Sequence, residues 1–152
     1  MTAEPFGPIV VGYDDTPAAR AALAWAADYA AAVGGELLVV YVSSAIVELE
    51  LAAAQIDADP IRRSFEHRLE GEWTASLRQR RISFRTKVVV GRVATELMRL
   101  ARAEHAALIV IGMTGRGTLG ELTFGSAEHE LVKHAVRPVV AVPKVWQHGT
   151  TA

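Results

Sequence analysis

The chain of 152 residues is 51% hydrophobic, enough for one ordinary domain with a sizeable core. We therefore expect a single domain over 1–152, with its core at about 7–145 and a frayed tail at 146–152. Its 16 Lys and Arg against 17 Asp and Glu leave a net charge of -1, which favours neither nucleic acid nor an anionic membrane as a partner. The absence of cysteine excludes disulfides and thiolate sites, and no apolar run approaches the roughly 18 residues of a membrane span, so we expect a soluble cytoplasmic protein.

Short apolar runs rich in β-branched residues predict buried strands, and helical patterns lie between them. In chain order the predicted strands are 8–13, 36–42, 84–90, 107–112 and 138–145, and the predicted helices are 17–35, 59–81, 93–106 and 126–135. Strands that alternate with helical crossovers predict a doubly wound α/β fold, with a mostly parallel sheet and helices on both faces. Segment 43–59 is compatible with a helix, a lid or a mobile loop.

Two loops at the carboxyl ends of predicted strands carry unusual chemistry. The first reads "GYDDTP" after strand one, and the second, "GMTGRGTLGELTFGS" after strand four, holds five glycines in fifteen residues. Ligands of open α/β sheets bind at the carboxyl ends of strands, where the strand order reverses. Gly125 and Ser126 directly precede a predicted helix, whose free N–H groups and positive dipole end suit an anion such as phosphate. The simpler alternative is that the Ser126 hydroxyl only caps that helix.

Other motifs fit less well. "GRGTLG" at 115–120 does not open a helix in a first βαβ unit, which argues against a dinucleotide site, and "GELTFGS" at 120–126 lacks the lysine of a P-loop. The histidines of "HELVKH", His129 and His134, are five residues apart instead of four, so we interpret them as ordinary helix residues. Trp25 is predicted in the core, and Trp73 and Trp146 at an interface.

The spacing of Gly112, two residues, Gly115, nine residues and Gly125-Ser126 resembles the G-2x-G-9x-G-(S/T) signature of the ATP-binding branch of the universal stress protein family. The likeness extends over nearly the whole chain, from "IVVGYDDTPAARAALAWAADYA" to "HAVRPVVAVP". It implies a Rossmann-like sheet of the adenine nucleotide alpha hydrolase type, with strand order 3-2-1-4-5. It also implies ATP as the ligand, with or without Mg²⁺, and a homodimer paired through the last strand at 138–145.

The resemblance also implies roles for individual residues. Asp14 is expected to accept from the adenine or ribose, and the backbone near Val11, Gly12, Val40 and Tyr41 is expected to frame the base. The phosphates are expected along Gly112, Met113, Gly115, Arg116 and Gly117, with the terminal ones held by Gly125 and Ser126. It implies no catalytic residue, and no residue is predicted as a metal ligand.

The chain departs from the family at Asp15, where the family commonly has glycine. A carboxylate at this position has three possible roles: it repels a triphosphate, holds a divalent ion with it, or points to solvent ahead of Pro17, which is the expectation adopted. The predicted function is a nucleotide-dependent stress-response or signalling regulator with an unknown protein partner. The alternatives are a slow ATP hydrolase or phosphotransferase that uses Asp14 or Asp15, a pocket for AMP or a cyclic nucleotide, and a dimeric interaction module that binds no ATP.

Overall fold

Strands and helices alternate along the chain as the apolar pattern predicts. The computed structural model describes residues 7–116, 122–123 and 125–147. Its strands are β1 (Ile9–Gly12), β2 (Leu37–Ser44), β3 (Phe84–Gly91), β4 (Leu108–Gly112), β5 (Gly115–Arg116), β6 (Leu122–Thr123) and β7 (Val139–Val142). Its helices are α1 (Pro17–Val33), α2 (Ala45–Ala53), α3 (Asp59–Glu70), α4 (Ala75–Gln79), α5 (Val93–Ala103) and α6 (Ser126–His134), and a 3₁₀ turn at Glu72–Thr74 joins α3 to α4.

Five strands form one parallel sheet in the order β3-β2-β1-β4-β7. Since β7 is the fifth strand of this sheet, the expected order 3-2-1-4-5 is confirmed. The central strand β1 pairs with β2 on one side and with β4 on the other, with Val11 opposite Val39 and Val110. The chain moves outward from β1 in both directions, so the crevice of this fold opens between the carboxyl ends of β1 and β4.

The central strands β1 and β4 are buried on both faces, which is why they are almost continuously apolar, whereas the edge strand β3 carries exposed Arg85 and Lys87. Successive side chains of a strand point to opposite faces. Val11 therefore belongs to the core under α1, α3 and α4, whereas Val10 belongs to the core under α5 and α6. Both side chains are fully buried.

Helix α1 lies close to the sheet because its buried face consists of alanines and a single leucine. Its N-cap is Thr16, whose hydroxyl accepts from the Ala19 N–H at 3.1 Å, and Pro17 occupies the first helical position. The helix ends at its C-cap Gly34, which is left-handed at φ 67°, close to the limit of the helix predicted over 17–35.

Three predicted elements have different limits in the structure. The helix predicted over 59–81 is interrupted at Gly71, whose φ of -103° and ψ of -102° are not helical, so it forms α3, the 3₁₀ turn and α4. Segment 43–59 continues β2 to Ser44 and then forms α2, which buries none of its residues. The last strand stops at Val142, directly before Pro143, instead of continuing to 145.

Candidate functional site

A pocket of about 150 Å³ lies in the crevice between β1 and β4. It is lined by Gly12, Tyr13, Asp14, Ala19, Val40, Val42, Val93, Ile111, Gly112, Thr114, Ala127 and Glu128. Four of the predicted binding residues are among them: Gly12, Asp14, Val40 and Gly112. The lining therefore joins the loop after β1 and the end of β4, as predicted, to the first turn of α6.

Asp14 is oriented by the start of α1. Its Oδ1 accepts from the Thr16 hydroxyl at 2.7 Å and from the Thr16 N–H at 3.3 Å, while the same hydroxyl caps the helix through Ala19. Within the described residues its Oδ2 makes no hydrogen bond, and the side chain is exposed at the pocket. Asp14 thus presents a fixed carboxylate oxygen that can accept a hydrogen bond from a ligand.

Asp15 does not point freely to solvent, and that expectation is wrong. Its Oδ1 accepts from the Tyr13 hydroxyl at 3.2 Å and from Arg20 Nε at 3.2 Å, and Arg20 also donates to the Asp15 carbonyl at 2.9 Å. Its other oxygen, Oδ2, lies 3.8 Å from Arg68. Asp15 is absent from the pocket lining because these partners hold it on the side of α1 and α3.

The backbone at Asp15 explains why a related sequence would have glycine there. Its φ is 60°, in the left-handed region that glycine adopts without cost and that Asp tolerates better than most residues. The hydrogen bonds to Tyr13 and Arg20 compensate for that conformation. Burial, followed by the nearby Asp15 charge, raises the pKa of Tyr13 to about 12.

Helix α6 begins at Ser126, as predicted, which is one residue earlier than a Ser126 cap would place its first turn. Gly125 is the N-cap, with φ -70° and ψ 174°, and Ser126 is the first helical residue. Ser126 is therefore not the capping residue, and the alternative in which its hydroxyl only caps the helix is wrong. Gly125 has no side chain with which to cap the helix, so the N–H groups of the first turn lack a side-chain cap from that position.

Glu128, the third residue of α6, is the most buried charged residue of the described chain at 2% exposure. Its Oε1 accepts from the Thr114 N–H at 2.8 Å and from the Thr114 hydroxyl at 2.7 Å, which ties the end of β4 to α6. Its Oε2 is buried and has no hydrogen-bond partner within the described residues. A side chain at Gly125 would place its Cβ 2.5 Å from this oxygen, so the glycine leaves room for the carboxylate.

Gly112, at the start of the second loop, has a local reason for being glycine. A Cβ on Gly112 would lie 2.4 Å from the backbone carbonyl of Ala18, so the residue lets α1 pack against the end of β4. Gly115 pairs with Thr123 in the two-residue antiparallel ladder of β5 and β6. Gly117 and the side chain of Arg116 lie outside what the structure describes, so their predicted phosphate contacts stay predictions.

Three other predicted binding residues, Val11, Tyr41 and Met113, are not among the residues that line the pocket. Val11 is fully buried under α1. Tyr41 faces the same side and stacks on Phe65, with 4.4 Å between ring centroids, and burial together with the Asp14 charge raises its pKa. The N–H of Met113 donates to the Val142 carbonyl at 2.9 Å.

The pocket lining includes residues that were not predicted from the sequence, among them Val42, Thr114 and Glu128. Val42 could have been predicted from the sequence, because it lies two positions after Val40 and side chains two positions apart in a strand lie on the same face. Thr114 and Glu128 are fourteen residues apart, and only the packing of α6 against β4 brings them into contact.

The tryptophans and histidines that the sequence singled out do not line the pocket. Trp73, predicted at an interface, is 9% exposed and lies in the core, and Trp146 packs partly buried against the same core. Trp25 is half-buried there as well. His129 and His134 are exposed on α6. Across 7–116, 122–123 and 125–147, no helix has the length and apolar character needed to cross a membrane.

Known proteins are similar in sequence to most of this chain. A family model described as the universal stress protein family matches residues 5–143. A universal stress protein of Mycolicibacterium smegmatis is 32% identical over 135 residues, which cover 88% of this chain and 95% of that protein. A universal stress protein of Mycobacterium tuberculosis is 31% identical over 135 residues, but the chain spans only 44% of its length.

Solved structures agree at the level of the fold. A universal stress protein from Archaeoglobus fulgidus superposes with a TM-score of 0.69 at 25% identity, covering 90% of this chain and 98% of that one. A complex of an Archaeoglobus fulgidus universal stress protein with dAMP has a TM-score of 0.65 at 22% identity, covering 91% and 98%. A universal stress protein in complex with cAMP has a TM-score of 0.70 at 19% identity, with the same coverage.

Proposed function

Because the chain belongs to the universal stress protein family, we propose that it binds an adenine nucleotide in the crevice between β1 and β4 and acts as a nucleotide-dependent stress-response or signalling regulator. The observation that carries the proposal is Asp14, a carboxylate fixed by Thr16 at the switch point of the sheet. Structures of family members with cAMP and dAMP support an adenine nucleotide as the ligand class.

The walls of the pocket suit a nucleoside. Val40, Val42 and Ile111 provide apolar surface of the kind that covers the faces of a base. Asp14 Oδ2 then accepts from the adenine amino group or a ribose hydroxyl. The base and sugar are thereby recognised through one charged acceptor and a largely apolar surface.

The phosphates are expected toward the glycine loop and the start of α6. ATP, with or without Mg²⁺, is the ligand that the glycine spacing favours, with Gly115, Gly117, Gly125 and Ser126 along the phosphates. How many phosphates the crevice accepts depends on the charge at its α6 end. The activity of longer relatives, of which this chain spans 44%, does not transfer as a whole.

A homodimer through β7 is part of the proposal. β7 is an edge strand that pairs only with β4 among the described strands, and Val136 and Val145 beside it are exposed. An open edge of this kind can pair with a second copy. Nucleotide binding would act by shifting the balance between assembled or partner-bound states.

The first test is binding of AMP, cAMP, ADP and ATP by calorimetry, after the protein has been stripped of nucleotide. Asp14→Asn keeps an oxygen for Thr16 but loses the free carboxylate oxygen, and a lost hydrogen bond to a charged group corresponds to roughly tenfold weaker binding or more. Glu66→Gln removes the same charge from an exposed position on α3 and serves as the control. No binding of any adenine nucleotide at millimolar concentration, or unchanged binding by Asp14→Asn, would contradict the proposal.

A further inference from the structure

The described lining of the crevice carries two acidic side chains, Asp14 and Glu128, and no lysine or arginine. A groove that adjoins it beyond Val42 and Val93 contains Arg92, but that guanidinium already pairs with Glu130 at 2.9 Å. Sites that bind polyphosphates ordinarily place cationic side chains or a metal ion beside the negative charge of the phosphates. Within the described residues, the charged group at the α6 end of this crevice is instead the carboxylate of Glu128.

Glu128 occupies the position where an anion would meet the helix. It lies in the first turn of α6, where its negative charge already complements the positive end of the helix dipole. Two hydrogen bonds from Thr114 hold its Oε1 in place. A terminal phosphate that approached the same N–H groups would lie beside a buried negative charge.

The second oxygen of Glu128 indicates what this end of the crevice accepts instead. Oε2 is buried without a partner in the described chain, although buried polar atoms are ordinarily hydrogen-bonded. A carboxylate oxygen can only accept, so any group that comes to lie beside Oε2 must donate a hydrogen bond, as a ribose hydroxyl does. Phosphate oxygens without a proton provide no such donor.

We propose that Glu128 selects by phosphate number, so that the crevice takes an adenosine nucleotide with one phosphate, free or cyclic, in preference to ADP or ATP. This inference rests on the proposed function, and it concerns only the phosphate end of the same site. Each further phosphate brings more negative charge toward a buried carboxylate, and like charges placed together in a binding site oppose binding strongly. Gly112 and Gly125 are then explained by close packing, and their presence does not by itself require a triphosphate.

The test compares AMP, cAMP, ADP and ATP on the wild type and on Glu128→Gln, each with and without Mg²⁺. Glutamine keeps the oxygen to which Thr114 donates but removes the charge, and Glu128→Ser is a second variant in case glutamine disturbs the turn. Thermal unfolding without nucleotide checks that each variant folds. Glu66→Gln on α3 controls for the change in net charge.

We expect the wild type to bind AMP or cAMP about tenfold more tightly than ATP or better, and Glu128→Gln to reduce that preference by about tenfold, mainly by improving ATP binding. Glu66→Gln leaves the preference unchanged. Whether AMP or cAMP binds more tightly identifies the form of the single phosphate, and either result supports the selection.

Three results would overturn it. Equal or tighter binding of ATP by the wild type, unchanged in Glu128→Gln, removes the selection while leaving adenine nucleotide binding intact. Binding of ATP that depends on Mg²⁺ and is lost in Glu128→Gln makes the carboxylate a cation ligand instead. No binding of any of the four nucleotides removes the proposed function, and this inference with it.

Discussion

Replacement of Gly112 by alanine tests whether that glycine is present for packing or for a ligand. The added Cβ would lie 2.4 Å from both the carbonyl carbon and the oxygen of Ala18, and 2.8 Å from its Cβ. Ordinary contact begins at 3.4 Å, so α1 or β4 must move by about 1.0 Å. The obstacle is helix backbone, which cannot rotate away as a side chain can. Overpacking of this kind costs about 1 to 3 kcal/mol, and we expect the upper part of that range.

The assay is urea or thermal unfolding of the protein without nucleotide, since a bound ligand would itself raise the stability. A loss of 2 to 3 kcal/mol corresponds to about 4 to 12 °C in Tm for a chain of this size. Gly35→Ala is the matched control, because its Cβ would meet side-chain atoms at 3.4 Å and no backbone atom closer than 3.9 Å, and we expect a change within about 0.5 kcal/mol. If Gly112→Ala unfolds like the control, the close approach of α1 does not limit this position and the reasoning from packing is refuted.

Three further predictions concern the loop between β1 and α1. Thr16→Ala removes the N-cap of α1 and should lower the free energy of unfolding by about 1 kcal/mol in urea titrations, whereas Thr16→Ser should retain most of it. Asp15→Gly should be more stable than Asp15→Ala by about 1 kcal/mol, because alanine in a left-handed conformation is strained and glycine is not; equal stabilities would contradict the positive φ. Tyr13 has a folded-state pKa raised to about 12 above an unfolded value of 10.0, so its contribution to stability is fully present below pH 10 and is lost as the pH rises to about 12. Ultraviolet titration of tyrosinate and unfolding at pH 9 and 11 check this, with Tyr13→Phe expected to show a smaller loss of stability over that range.

The fold was predictable because its signals are local and strong. Apolar runs such as "ALIVI" are long enough to be strands but too short for typical helices, and helical patterns separate each pair of strands that the crossovers join. Element limits were less predictable, since Gly71 is a single residue in a convincing helical pattern and only the structure locates the break there. Trp73 was misassigned because a large apolar side chain suits an interface as well as a core.

The amino-acid sequence was sufficient to predict the parallel sheet, the loops that flank its crevice and the position of Asp14 after β1. These follow from hydrophobic periodicity and from residues adjacent in the chain. The charges that lie at the crevice depend on tertiary packing and could not be predicted in this way. Asp15 turns away from it because its backbone is left-handed and Arg20 binds it, while Glu128 enters it because α6 packs beside Thr114. The direction of a side chain depends on the backbone conformation and on partners distant in the chain. The local pattern of residues predicts neither of these.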